Sequence, residues 1–128
     1  MPDGGFHLEG MTSAGGWTAT MADVLSFVDQ QDRFLSEESW EKMLSRPPIS
    51  RWEDRSMWYG MGWLYVESER YLWHNGSFSG SQTLVVRRED GISFAVGINH
   101  RFEDRMLFSS ELRERLQDAM DQAFGARL

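Results

Sequence analysis

Residues 71–99 read YLWHNGSFSGSQTLVVRREDGISFAVGIN, and the two-residue alternation in this stretch decides the fold. Within Gln82–Arg88, Thr83, Val85 and Arg87 share one face of an extended chain, and Leu84, Val86 and Arg88 share the other. Glu89-Asp90-Gly91 supplies a hairpin turn, because Asp and Gly accept the backbone angles of a tight reversal. On the returning strand Ile92, Phe94, Val96 and Ile98 make an apolar face. Ser93, Ala95, Gly97 and Asn99 make an opposite face of small residues, suited to a closely packed helix. Upstream, Tyr71–Ser77 is a further strand that carries His74-Asn75-Gly76-Ser77, and Ser79-Gly80 turns the chain after it.

His74-Asn75-Gly76, followed by a small-residue turn and a two-strand hairpin, resembles the third active-site motif of the serine β-lactamase and penicillin-binding-protein superfamily. That motif is Lys-Thr-Gly in many members and His-x-Gly in many class C-related esterases and peptidases. The chemistry needs a strand edge beside the nucleophile: glycine lets backbone approach substrate, and the next N–H points at the oxyanion. The resemblance implies that His74 faces the substrate's carboxylate or leaving group. It makes Gly76 the close-approach position and Ser77 the oxyanion N–H, with Asn75 completing the motif. Two further segments are similar to the same family, in the same order. Ser13–Leu25, SAGGWTATMADVL, is similar to its Ala-Gly-Gly segment that opens a helix, and Tyr59-Gly60-Met61-Gly62-Trp63 to its Tyr-Gly-Leu-Gly-Trp strand. The resemblance covers residues from about Thr12 to the C-terminus.

Two catalytic motifs of that family have no counterpart in place. Ser39-Trp40-Glu41-Lys42 formally matches Ser-x-x-Lys, and residues three apart do share a helix face. It lies downstream of the Gly-Gly segment, however, whereas the family carries its nucleophile far upstream. The surrounding acidic helix also lacks the burial that lowers a lysine pKa. A solvated helix face is the expectation there, and Lys42 is the only lysine. Tyr59, Tyr65 and Tyr71 are followed two residues on by Met61, Glu67 and Trp73, so no Tyr-x-Asn or Tyr-x-Ser exists.

The remainder of the chain is consistent with one domain over 1–128, a C-terminal portion of such a fold. Hydrophobic residues make up 41%, enough for a core, and the net charge of −7 argues against nucleic-acid or anionic-membrane partners. No apolar run approaches the roughly 18 residues of a membrane span. The absence of cysteine removes thiol chemistry, and MPDGGFHLEGM shows neither the basic leader nor the apolar core of a signal peptide. Compartment stays open, although members of the family are often periplasmic or secreted. His7, His74 and His100 are too far apart in sequence to suggest a metal site, and no cofactor motif is present.

Thr20 with Asp23 predicts a helix start, running to about Gln30 or Gln31, and Ser36 starts a second helix with Trp40, Met43 and Leu44 as its buried stripe before Pro47-Pro48. Ser50–Met57 is expected as a loop and Tyr59–Val66 as one strand. Ser109 or Ser110 should cap a final amphipathic helix with Leu112, Leu116, Ala119, Met120, Ala123 and Phe124 inward. Arg113, Glu114, Arg115, Asp118 and Asp121 are expected in solvent, and Gly125 ends the helix.

The expected fold is α+β, an antiparallel sheet of about four strands with helices before it and one after. Two functions fit. One is a fragment or subunit of a β-lactamase-related serine hydrolase, acting on D-Ala-D-Ala peptide, β-lactam or ester and inactive alone. The other is a non-catalytic module of the same fold that binds a ligand or protein. In the family an N-terminal strand pair lies next to the last strand of the sheet and a helical domain covers one face, so a homodimer or a complex with a missing N-terminal half is expected.

Overall fold

The computed structural model describes residues 8–11, 15–53, 55–78, 80–100 and 105–125. Helix α1, Met21–Asp29, starts where Thr20 and Asp23 satisfy each other's backbone: Thr20 Oγ1 accepts from the Asp23 N–H, and the Thr20 N–H donates to Asp23 Oδ2, both at 3.1 Å. The Thr20 hydroxyl, donating to Oδ2 at 2.7 Å, and then the Thr20 N–H hold the Asp23 carboxyl below its ordinary pKa. A four-residue helix, α2, Gln31–Phe34, follows directly, where the sequence suggests only the end of α1. Helix α3, Glu37–Leu44, starts at Ser36, whose hydroxyl accepts from the Ser39 N–H at 3.2 Å, and it stops short of the proline pair. Ser50–Trp52, expected as loop, is a single 3-10 turn.

Five antiparallel strands stand in sequence order: β1, Met57–Tyr59; β2, Leu64–Val66; β3, Tyr71–Phe78; β4, Ser81–Arg88; and β5, Ser93–Ile98. The α+β class is as expected. The extra strand arises because Tyr59–Val66 is a hairpin rather than one strand. The Gly60 N–H donates to the Trp63 carbonyl at 2.8 Å, and Gly62 takes φ +85°, which reverses the chain. Gly60 has a second task. A Cβ there would stand 2.4 Å from the Met43 carbonyl oxygen, and that carbonyl accepts the Met61 N–H at 2.8 Å. The Tyr-Gly-Met-Gly-Trp segment therefore fastens the β1–β2 turn to the end of α3.

Both faces of the sheet are covered. On one, Val66, Tyr71, Trp73, Leu84, Val86 and Phe94 pack beneath Leu112, Leu116 and Met120 of α4, Arg105–Phe124. That helix begins before the expected Ser109 or Ser110 cap and ends at Gly125, φ +80°. Two of its residues expected in solvent turn inward. Arg113 lays its guanidinium over the rings of Trp73, at 4.7 Å, and Tyr71, at 5.8 Å. Asp121 pairs with Arg88 Nη1 at 2.6 Å, and Asp90 takes Nη2 at 2.7 Å. Burial works against the Arg88 charge, and its hydrogen bonds to the two carboxylates outweigh that and raise its pKa. Ala119, Ala123 and Phe124, expected inward, are exposed. On the other face Val28, Trp63 and Leu72 pack with Trp40, Met43 and Leu44 of α3. There α1 crosses the small-residue face of β5, with Met21 seated against Gly97. No helix among the described residues is long and apolar enough to cross a membrane.

Gly60→Ala should lower unfolding stability by about 1–3 kcal/mol, because backbone rather than a yielding side chain occupies the space. Met61→Ala, at an exposed neighbouring side chain, should stay within about 0.5 kcal/mol, and urea titration compares the two. Alkali probes both faces of the sheet. Burial pushes the Tyr71 phenol up to about 12, and desolvation with the Glu89 hydrogen bond does the same to Tyr65. The unfolded phenol titrates near roughly 10. A folded pKa raised above it means stability that is complete below about pH 10 and is lost as pH climbs towards about 12. Tyr71→Phe should flatten that decline without abolishing it, read from denaturant midpoints across the interval.

Candidate functional site

β3 is eight residues long, but its two neighbours hold unequal lengths of it. β4 pairs with all of it, from Tyr71↔Arg88 to Phe78↔Ser81. β2 pairs only with Tyr71, Leu72 and Trp73. From His74 onward the β2-side edge has no paired strand among the described residues. Which backbone groups occupy that edge follows from the alternation of an antiparallel ladder. The Glu89 N–H donates to the Arg70 carbonyl at 3.0 Å, so Arg70 faces β4, as do the even-numbered residues after it. The odd-numbered residues face the other way: Tyr71 and Trp73 meet β2, while Asn75 and Ser77 turn N–H and C=O to the edge that no strand among the described residues pairs.

The face of β3 beside that edge forms a groove. His74, Gly76, Thr83 and Val85 supply its floor, Met21 and Val24 of α1 one wall, and Gly15 lies at its rim, enclosing about 510 Å³. The capping box at Thr20 fixes where α1 begins, and hence where Met21 and Val24 stand over the strands. Gly76 keeps the floor open. A Cβ there would be 2.6 Å from Thr83 Oγ1, its partner across the ladder.

His74 is exposed, and its Nε2 lies 2.9 Å from the Tyr59 hydroxyl, with the two rings edge to face at 6.0 Å. Tyr59 ends β1 immediately before the Gly60 anchor, which aims it at the beginning of the open half of β3. Tyr59 is followed two residues later by Met61 rather than Asn or Ser, so nothing in its local spacing marks it. Its position at the head of Tyr-Gly-Met-Gly-Trp is the only trace in the sequence, and fifteen residues separate it from His74.

The four residues singled out from sequence are thus together on one half-strand, with His74 and Gly76 on the groove floor and Asn75 and Ser77 carrying the open backbone. The Ser77 hydroxyl has no hydrogen-bonded base among the described residues. Ser39 and Lys42 are exposed on α3 and do not line the groove; Ser39 Oγ accepts from the Ser36 hydroxyl at 3.0 Å. Ser79 lies outside the described residues. A larger cavity of about 600 Å³, near the β4–β5 turn, is lined by Trp40, Tyr65 and Leu72. Most of its charged groups are paired: Arg87 with Asp32, Glu89 with both Arg70 and the Tyr65 hydroxyl, and Arg88 with Asp90 and Asp121, while Arg87 Nη1 is buried without a hydrogen bond. The smaller groove is the one where polar groups converge with open backbone.

Gly76→Ala should cost about 1 kcal/mol of stability through its contact with Thr83. Thr83→Ala in the same chain should recover most of that loss. A double-mutant cycle by urea denaturation isolates the coupling, and additive effects would show the crowding at Gly76 to be unimportant.

No family model matches this chain, and no curated protein or solved structure matches it.

Proposed function

We propose that this chain is one wall of the active site of a β-lactamase-related serine hydrolase, the C-terminal portion of a domain whose nucleophile stands on another segment. The observation that carries the proposal is the open half of β3, where two outward-facing peptide units border a groove floored by His74 and Gly76. An extended acyl donor can lie along this edge as an added strand, its main chain bonded to Asn75 and Ser77. Its reacting carbonyl then falls next to the Ser77 N–H, a fixed donor for the oxygen that gains charge when a serine attacks. The serine oxygen bonds to the carbonyl carbon, and the amine or alcohol leaves with a proton, giving a serine ester that water cleaves. D-Ala-D-Ala peptides, β-lactams and simple esters all present such a carbonyl. The attacking serine and its lysine and tyrosine come from elsewhere, because none of the described residues lining the groove is a serine, lysine or tyrosine.

The missing elements have a place to attach. β5 is bonded to β4 on one side, and no strand among the described residues pairs with its outer edge. An edge of this kind is a template for another chain, so a second copy or a separate N-terminal half completes the sheet.

The purified chain alone should show no covalent adduct with a β-lactam or fluorophosphonate by intact-mass measurement. An acyl-D-Ala-D-Ala peptide should move the amide resonances of Asn75 and Ser77 before others. Absence of any response at this half-strand would sink the wall assignment and favour the non-catalytic module. Stoichiometric acylation, at Ser39 above all, would overturn the incomplete site. Sedimentation of the same sample reads assembly: a monomer whose β5 amides resist hydrogen exchange would mean that the edge is already covered.

A further inference from the structure

Deepening that reading of the groove, and resting on it for its functional meaning, we infer that Tyr59 is a positioning residue that holds His74 in a single tautomer, with the imidazole proton on Nδ1. The 2.9 Å separation between the Tyr59 hydroxyl and His74 Nε2 establishes the pair, and chemistry sets its direction. A neutral imidazole has one N–H and one bare nitrogen, while a phenol can donate or accept. The phenol O–H is much more acidic than the N–H of a neutral imidazole. The bare imidazole nitrogen is in turn a better acceptor than a phenol oxygen, whose lone pair is shared with the ring. O–H···Nε2 is therefore the stronger arrangement, and it leaves the proton on Nδ1.

The placement of Tyr59 supports a dedicated contact. Its backbone is held by β2, through Tyr59↔Leu64, and by the hairpin that Gly60 ties to α3. It meets the histidine ring edge to face, in the arrangement that aromatic pairs prefer. Forty per cent of Tyr59 remains exposed, so core packing is not what holds it there. No other hydrogen-bond partner of His74 exists among the described residues, so the hydroxyl alone selects the tautomer.

The consequence concerns what the groove can take. With Nε2 occupied, the imidazole offers the groove an N–H donor at Nδ1 rather than a bare nitrogen. Such a wall suits a ligand with an acceptor oxygen at that point, the carbonyl or carboxylate of an acyl compound. An ammonium or alcohol donor would meet a group unable to accept.

The test uses the full chain labelled with ¹⁵N, at a pH where imidazole is neutral. Long-range ¹H–¹⁵N correlations distinguish the two tautomers of His74 directly. The native chain should show the Nδ1–H form as the majority, and Tyr59→Phe should invert that ratio towards Nε2–H while the β3 and β4 amide resonances stay in place. A native His74 with its proton on Nε2, or a ratio indifferent to Tyr59→Phe, would overturn the inference, and the first result needs no variant. Titrating acyl-D-Ala-D-Ala peptide into the same samples separates this outcome from the fate of the proposed function. The Nδ1–H tautomer without any Asn75 or Ser77 response sustains the Tyr59 assignment and sinks the acyl-binding wall. A peptide response with an Nε2–H histidine does the reverse.

Discussion

Eight residues of β3 are bonded to β4, and three of those eight are also bonded to β2. This inequality governs both the architecture and the site. Where β3 has two neighbours, its side chains are the most deeply buried of the strand: Tyr71, Leu72 and Trp73 are all under 7% exposed and reach both cores. Beyond Trp73 the burial lapses, although β4 continues alongside. A strand held on one side keeps its geometry and frees every second peptide unit on the other. The rigid half anchors the open half, so Asn75, half-buried, and Ser77, exposed, are extended without belonging to a loop.

The length of β2 is in turn set by its hairpin. Gly60 and Gly62 end β1 and start β2 late, because the turn between them must also bond to the Met43 carbonyl. An unbroken Tyr59–Val66 strand would have had the length to run beside His74 and Asn75 and close the edge. The same turn that shortens β2 delivers the Tyr59 hydroxyl to His74. One local feature, two glycines around a methionine, therefore opens the edge and furnishes its side-chain partner.

Most of the sheet could be read from sequence because its determinants are local. Alternation within Gln82–Arg88 and Ile92–Asn99, and Asp90-Gly91 between them, specify a hairpin without reference to anything distant. Thr20 with Asp23, and Ser36, likewise mark helix starts from adjacent residues. What escaped depends on partners far along the chain. Tyr-Gly-Met-Gly-Trp alternates well enough for a strand, and the alternation shows neither the Gly60–Trp63 bond that turns it nor the Met43 carbonyl that fastens the turn. Arg113 and Asp121 belong by period to the polar side of α4. The rings of Trp73 and Tyr71 and the buried Arg88 draw them in, and neither attraction can be counted from spacing along a helix. Similarly, His74-Asn75-Gly76-Ser77 is visible as a motif, whereas the pairing of His74 with Tyr59 requires the fold.

Arg88 shows why the sheet can hold an open edge without help from the groove. Its side chain is 3% exposed and carries two carboxylates, Asp90 from the adjoining turn and Asp121 from α4. The buried guanidinium needs these carboxylates to offset its lost hydration, so the turn and the helix are both tied to β4. This lock sits at the end of β4 opposite the groove, where Tyr71↔Arg88 begins the ladder, and Phe78↔Ser81 closes the other end. Strand alignment is fixed at the closed end and carried along the ladder to the open one. The peptide units of Asn75 and Ser77 are thereby held in register by contacts remote from them, and the open half-strand itself carries only His74, Asn75, Gly76 and Ser77 before Phe78.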